Sequence, residues 1–148
     1  ELDYENLHHH EPTQFHGDFI LENIIQTDNG LTLIDWRQDF SGSTSYGDLY
    51  YDLAKLNHNL TFNHDYITRG LYTCNVDCEV TIDLSIPFRT IECQEILKQF
   101  CSNENIPYNK IKILTSLVWL NMSALHEHPL DKFLYYFSRY NMFNSLEG

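Results

Sequence analysis

The spacing of apolar positions changes period several times along the chain, and each change predicts an element. Asn23-Ile24-Ile25-Gln26-Thr27 and Leu31-Thr32-Leu33-Ile34 are short β-rich runs separated by Asp28-Asn29-Gly30. Asn-Gly between such runs is a strong turn signal, because these two residues tolerate the positive φ that tight hairpin turns need. The pattern predicts a hairpin with Ile24, Leu31 and Leu33 on its packed face. After Asp48 the period lengthens: Leu49, Leu53, Leu56 and Leu60 follow at steps of four, three and four, one face of a helix. Asp48 lies near the start, where a carboxylate suits the positive end of the helix dipole. Residues 62–72 predict a second helix with Asn63 as its N-cap. Val80, Ile82, Leu84 and Ile86 then alternate with Glu79, Thr81, Asp83 and Ser85, so Cys74–Ile86 reads as an exposed-edge strand or extended loop. Three more helices are expected over 88–103, 108–126 and 130–144, each introduced by a proline (Pro87, Pro107, Pro129). Their inward residues read as Ile91, Ile96, Leu97 and Phe100, then Leu114, Leu117, Val118, Met122 and Leu125, then Phe133, Leu134, Phe137 and Tyr140. The sum is an α+β fold, mostly helical, with a small β-hairpin.

Composition narrows the function classes. A chain of 148 residues, 43% hydrophobic and 14% aromatic, is the length of one domain and can bury a real core. It has no run of about 18 apolar residues, so no membrane span is expected. The acidic, His-rich opening does not read as a signal peptide. Nine basic against 21 acidic residues give a net charge of −12, which argues against nucleic acid as a partner. The same charge can steer a cationic substrate or simply form a solvated surface. Cys74 and Cys78 have a spacing zinc accepts, but Cys93 and Cys101 lie inside a helical pattern. Free thiols are the better reading, and they place the chain in a reducing compartment, so it is expected to be cytoplasmic. His8-His9-His10 reads as an exposed segment rather than a metal site, and His126 and His128 as groups at a helix end.

The hairpin organises the candidate chemistry. Asp18 and Asn23 are five residues apart, and Asp35 follows twelve residues after Asn23. Folding the second strand back returns Asp35 to the neighbourhood of Asn23 and Asp18. Mg²⁺ takes oxygen ligands, typically one or two from protein and the rest from phosphates and water. Asn23 and Asp35 can supply two, while Asp18 stands apart and can accept the proton of an attacking hydroxyl. Residues 37–47, rich in Gly and Ser, should border this site. Arg37 within them suits either a phosphate or a surface salt bridge, with Asp39 as one partner.

Three motifs in order, HGDFILEN, LIDW and GDLYYDLAKL, resemble the aminoglycoside phosphotransferase and choline kinase family, which has a protein-kinase-like fold. The resemblance implies that Asp18, with His16, forms the catalytic part of the loop. Asp18 would be the base, and His16 and Gly17 would shape the loop. Asn23 and Asp35 would bind the nucleotide's Mg²⁺, and Asp52 would be the buried carboxylate that holds the loop backbone. It further implies ATP and Mg²⁺ as cofactors and a small-molecule acceptor such as choline, a sugar or an aminoglycoside, with surface-polysaccharide metabolism as one setting. Residues 1–13 read as a lead-in and 14–145 as the C-terminal catalytic lobe. Only about 15 residues precede HGD, too few for the N-terminal lobe that covers ATP in such kinases. ATP would then be bound with the help of that missing lobe. The alternative is a catalytically inactive fragment or pseudokinase-like binding module.

Overall fold

A computed structural model describes residues 4–8 and 11–147. His9 and His10 of the histidine run, residues 1–3 of the lead-in and Gly148 lie outside the described residues. The first hairpin is β1 (Ile24–Thr27) and β2 (Gly30–Leu33), antiparallel, with Ile24 opposite Leu33 and Thr27 opposite Gly30. Gly30 has φ 121°, the positive-φ residue the sequence required at the turn. Its packed face is covered only near the base. Ile24 and Leu33 are half-buried, but Leu31, near the tip, is 73% exposed. The expectation that Leu31 packs inward is therefore corrected: the hairpin projects beyond the body it stands on.

Helix α1 (Leu49–Thr61) begins where its cap predicts. The Asp48 side chain accepts hydrogen bonds from the Tyr50 and Tyr51 amides, satisfying two N–H groups that the first turn leaves without carbonyl partners. Leu53 and Leu60 are buried, with Leu49 and Leu56 half-buried beside them. Together with Ala54 they meet Leu97 and Cys101 of α3 (Phe88–Asn103) and Ile111 of α4 (Tyr108–Ser123), which makes a first apolar core.

Helix α2 (His64–Arg69) is shorter than the predicted 62–72. Asn63 does cap it, accepting from the Asp65 and Tyr66 amides. Gly70 ends it in the left-handed region at φ 61°, its N–H turned back to the Tyr66 and Ile67 carbonyls. The chain then leaves as a strand, β3 (Tyr72–Val76), which pairs antiparallel with β4 (Val80–Leu84). The single alternating strand predicted here is thus the second arm of a hairpin. Cys74–Val76 of its first arm fell within the expected extended stretch, and only Tyr72 fell within the expected helix, which the Gly70 cap ends early.

A second core lies beneath this hairpin. Phe62, Tyr66, Trp119 and four residues of α5 (Leu130–Glu147), namely Leu130, Phe133, Leu134 and Phe137, are all buried there. Phe62 and Phe133 have ring centroids 4.7 Å apart, and Tyr72 closes on both at 5.4 and 4.6 Å. Helix α4 packs against both α1 and α5, so it is buried on more than one side. Ile111, Ile113, Thr115, Ser116 and Trp119 are its buried residues, while the predicted stripe of Leu114, Leu117, Val118 and Met122 is only half-buried. Leu125, 74% exposed, falls beyond the helix end.

Helix α3 departs furthest from expectation. Leu97 is buried as predicted, but Ile91, Ile96 and Phe100 are 49, 68 and 46% exposed. The helix contacts the body along a narrow edge led by Leu97 and Cys101, four residues apart, so neighbouring apolar positions stay in solvent. Tyr140 of α5, 62% exposed, is likewise outside the core.

Candidate functional site

The site is built on the segment that enters the hairpin. Thr13 and Gly47 exchange backbone hydrogen bonds, which anchors the approach, and Phe15 packs tilted against Phe40 at 5.7 Å. The chain then turns sharply at Gly17, where φ is 79°. A Cβ at this position would stand 2.6 Å from the Arg37 Cβ, so both the backbone angle and the close approach require glycine.

Asp52, buried on α1, holds this turn. Its two carboxylate oxygens accept from the His16 amide at 2.6 Å and the Gly17 amide at 2.8 Å. Burial pushes the Asp52 carboxyl up, and the two backbone N–H donors oppose that rise without cancelling it. His16 is buried and joins three segments. Its Nε2 bonds the Ile34 carbonyl at 2.9 Å, and its Nδ1 accepts from the Asp18 amide at 3.3 Å, an arrangement that puts the ring proton on Nε2. Its carbonyl accepts from the Arg37 amide at 2.9 Å, and its ring lies 4.8 Å from that of Trp36.

These bonds bring the three oxygen-bearing candidates together. The Asn23 side-chain amide donates to the Asp18 carbonyl at 2.9 Å, spanning the five-residue loop. The Ile34 amide donates to the Asn23 carbonyl at 3.0 Å, so Asp35 leaves the hairpin beside Asn23. Asp35 has φ 57°, a left-handed conformation uncommon for a non-glycine residue. It is exposed, and its carboxylate makes no hydrogen bond or ion pair with the described residues. Asn23 donates its nitrogen to Asp18, which leaves its side-chain oxygen free of that bond. One carboxylate and one amide oxygen on adjoining segments form a donor set that suits a hard divalent cation. Among the described residues, no group of three or more His, Cys, Asp or Glu side chains is gathered for a metal. The four cysteines are free thiols, Cys101 buried and Cys78 exposed.

Asp18 lies between two cations. Arg37 Nη2 is 2.8 Å from its Oδ2, and Lys55 Nζ is 2.8 Å from its Oδ1. Burial raises the Asp18 carboxyl, but Lys55 first and then Arg37 outweigh it, so the group is held below its ordinary range. Arg37 therefore pairs with Asp18 and not with Asp39, whose carboxylate instead accepts from the Gly42 amide. Lys55 and Asn59 were not singled out in the sequence. Lys55 lies three residues after Asp52, a spacing that shares a helix face and was the available signal. Only the Arg37 end of the 37–47 loop reaches Asp18. The hollow of about 710 Å³ along Phe40–Asp48 and Pro12 is lined by none of the candidate residues.

Residues 2–68 match the model of the phosphotransferase enzyme family, APH. The matched segment contains the loop, the first hairpin and α1, and with them every candidate residue. No curated protein and no solved structure matches the chain. The match covers less than half of the chain and agrees with the resemblance carried by the three motifs.

Proposed function

We propose, taking that family match as the premise, that this chain carries the catalytic loop of an ATP-dependent small-molecule kinase. The reaction moves the γ-phosphoryl group of ATP to an acceptor hydroxyl. The observation that supports it is the linkage of Asp18, Asn23 and the Ile34–Asp35 strand end by two hydrogen bonds across the base of one hairpin. The acceptor oxygen bonds to the γ-phosphorus, the bond from that phosphorus to the bridging oxygen breaks, and ADP leaves. Asp18 orients the hydroxyl and receives its proton. Asn23 and Asp35 would hold Mg²⁺, which when bound neutralises charge on the phosphates. His16, Gly17 and Asp52 keep the loop in the conformation that this work needs. A net charge of −12 favours a cationic acceptor such as choline or an aminoglycoside over an anionic one.

A second reading, a binding module without turnover, rests on one observation: both oxygens of Asp18 are already in ion pairs. The Asp18→Asn variant separates the two. In a kinase it should lower turnover of Mg-ATP by about a thousandfold, within the range a lost general base costs. Equal phosphoryl transfer by wild type and variant would remove Asp18 from the mechanism. Calorimetric titration with Mg-ATP adds a check on the cation ligands. Heat that disappears in Asp35→Ala marks Asp35 as one of them, and unchanged heat excludes it.

A further inference from the structure

We infer that Lys55 is a positioning residue for Asp18, pinning one carboxylate oxygen so that the other faces the acceptor. The inference rests on the reading of Asp18 as proton acceptor. Its basis is the way α1 grips the loop. Asp52, Lys55 and Asn59 follow at steps of three and four and so share one helix face. Asp52 takes the His16 and Gly17 amides, Lys55 takes Asp18 Oδ1, and the Asn59 side-chain oxygen takes the Leu21 amide at 3.0 Å. The Asn59 nitrogen donates to Glu22 at 2.7 Å. Successive pieces of the loop thus land on successive turns of one helix. The contacts at either end reach loop backbone or Glu22. Lys55 alone of the three touches the carboxylate that would meet the substrate.

The two cations on Asp18 are not equivalent. The Arg37 side chain is 57% exposed and the Lys55 side chain 17%. An exposed pair contributes little and is readily exchanged for another partner, whereas a covered one is screened less and held more firmly. Oδ2, under Arg37, is therefore the oxygen that opens to an acceptor hydroxyl. Oδ1, under Lys55, stays fixed. The Lys55 stem rises from a helix that Asp48 caps and two apolar neighbours, Leu53 and Ala54, bury. That support limits how far the ammonium can drift.

A purely structural lysine would neutralise a covered carboxylate, and its loss would lower stability while leaving turnover by folded molecules intact. A positioning lysine makes turnover depend on where the charge sits. The test uses the full-length protein as wild type, Asp18→Asn, Lys55→Met, Lys55→Arg and the Asp18→Asn/Lys55→Met double variant. Release of ADP from Mg-ATP is followed with choline, glucose or kanamycin, water being the default acceptor, and folding is checked by circular dichroism.

Folded Lys55→Met should lose about a hundredfold in kcat with KM for ATP unchanged, the scale of a displaced catalytic group. Lys55→Arg should recover about a tenth of wild-type kcat, since charge returns at a shifted position. In the Asp18→Asn background, Lys55→Met should cost nothing more, because it acts through Asp18. Inactive Asp18→Asn with Lys55→Met or Lys55→Arg at wild-type kcat overturns the inference and leaves the proposed function standing. If Lys55→Met does not fold, Lys55→Arg decides. Asp18→Asn as active as wild type overturns the proposed function and this inference together.

Discussion

One face of α1 and the segment just past its C-terminal end are held by opposite kinds of physics. Along that face, Asp52, Lys55 and Asn59 bind the loop through hydrogen bonds and an ion pair. Just past its end, Phe62 sits in a nest of rings with Tyr66, Tyr72 and Phe133. Apolar packing is non-directional and tolerates several arrangements of similar volume. Hydrogen bonds to a carboxylate fix direction as well as distance. The polar face therefore sets geometry, and the aromatic cluster contributes apolar burial that lets the geometry persist. His58, on the same helix, is buried, its ring 6.2 Å from Trp119 in an edge arrangement.

The sharpest break in that division comes from Phe133→Ala. Phe133 is fully buried and touches the rings of Phe62, Tyr72 and Phe137. Its removal should cost about 3–5 kcal/mol, read as a lower midpoint in urea unfolding, with nucleotide turnover by the remaining folded protein little changed. A loss under 1 kcal/mol would show that stability resides elsewhere.

Asp52→Ala tests the polar face. It leaves two loop amides without acceptors, at about 1–3 kcal/mol each. We expect about 2–4 kcal/mol of destabilisation together with a loss of activity larger than the folded fraction accounts for. Asp52→Asn keeps one oxygen and should fall between wild type and Ala in both measurements. Activity that merely follows the folded fraction would mean that the loop holds its shape without this carboxylate.

Acid separates the helix interior from the loop by pH. Burial, with Lys55 nearby, lowers His58 to about 4 from 6.5, against a smaller opposing pull from Asp18. Between those values the unfolded chain binds a proton that the native chain refuses, so stability falls as pH drops from 6.5 toward 4. The loss should approach about 3 kcal/mol, from roughly 1.4 kcal/mol per pH unit. Asp18 has the contrary sign: its lowered pKa contributes stability above the ordinary carboxylate value of 3.8, lost only at lower pH. Thermal unfolding at pH 7, 5 and 4 should thus show the His58 loss first, and His58→Gln should flatten the slope. A stability that is constant down to pH 4 would contradict the burial of a neutral His58.

The smallest effect is expected at the junction of α1 and the second hairpin. Asn63→Ala removes the side chain that caps α2 and should cost about 1 kcal/mol by thermal or urea unfolding, with no change in turnover. A change in turnover would couple this junction to the loop.

The sequence was most legible where a single residue type has a single local consequence. Asn29-Gly30 placed the first turn, Asp48 and Asn63 placed two caps, and HGD with LIDW placed the loop and the strand end that it meets. It was least legible where burial depends on which neighbour happens to cover a face. The apolar residues of α3 include Ile96, left in solvent, and Leu97 beside it, buried, because only a narrow edge of the helix meets α1. Gly70 could have ended α2 on paper, and β3 would then have been visible as the partner of β4.

What the chain by itself determined about this protein is the first hairpin, the order of the long helices, the residues brought to the loop and their chemical type. These follow from local backbone preferences and from spacings within one element, which the sequence displays directly. Tertiary structure alone decided that Arg37 and Lys55 converge on Asp18 from segments 19 and 37 residues away in sequence. An ion pair depends on the distance between side chains after packing, and no spacing within a single element encodes that distance.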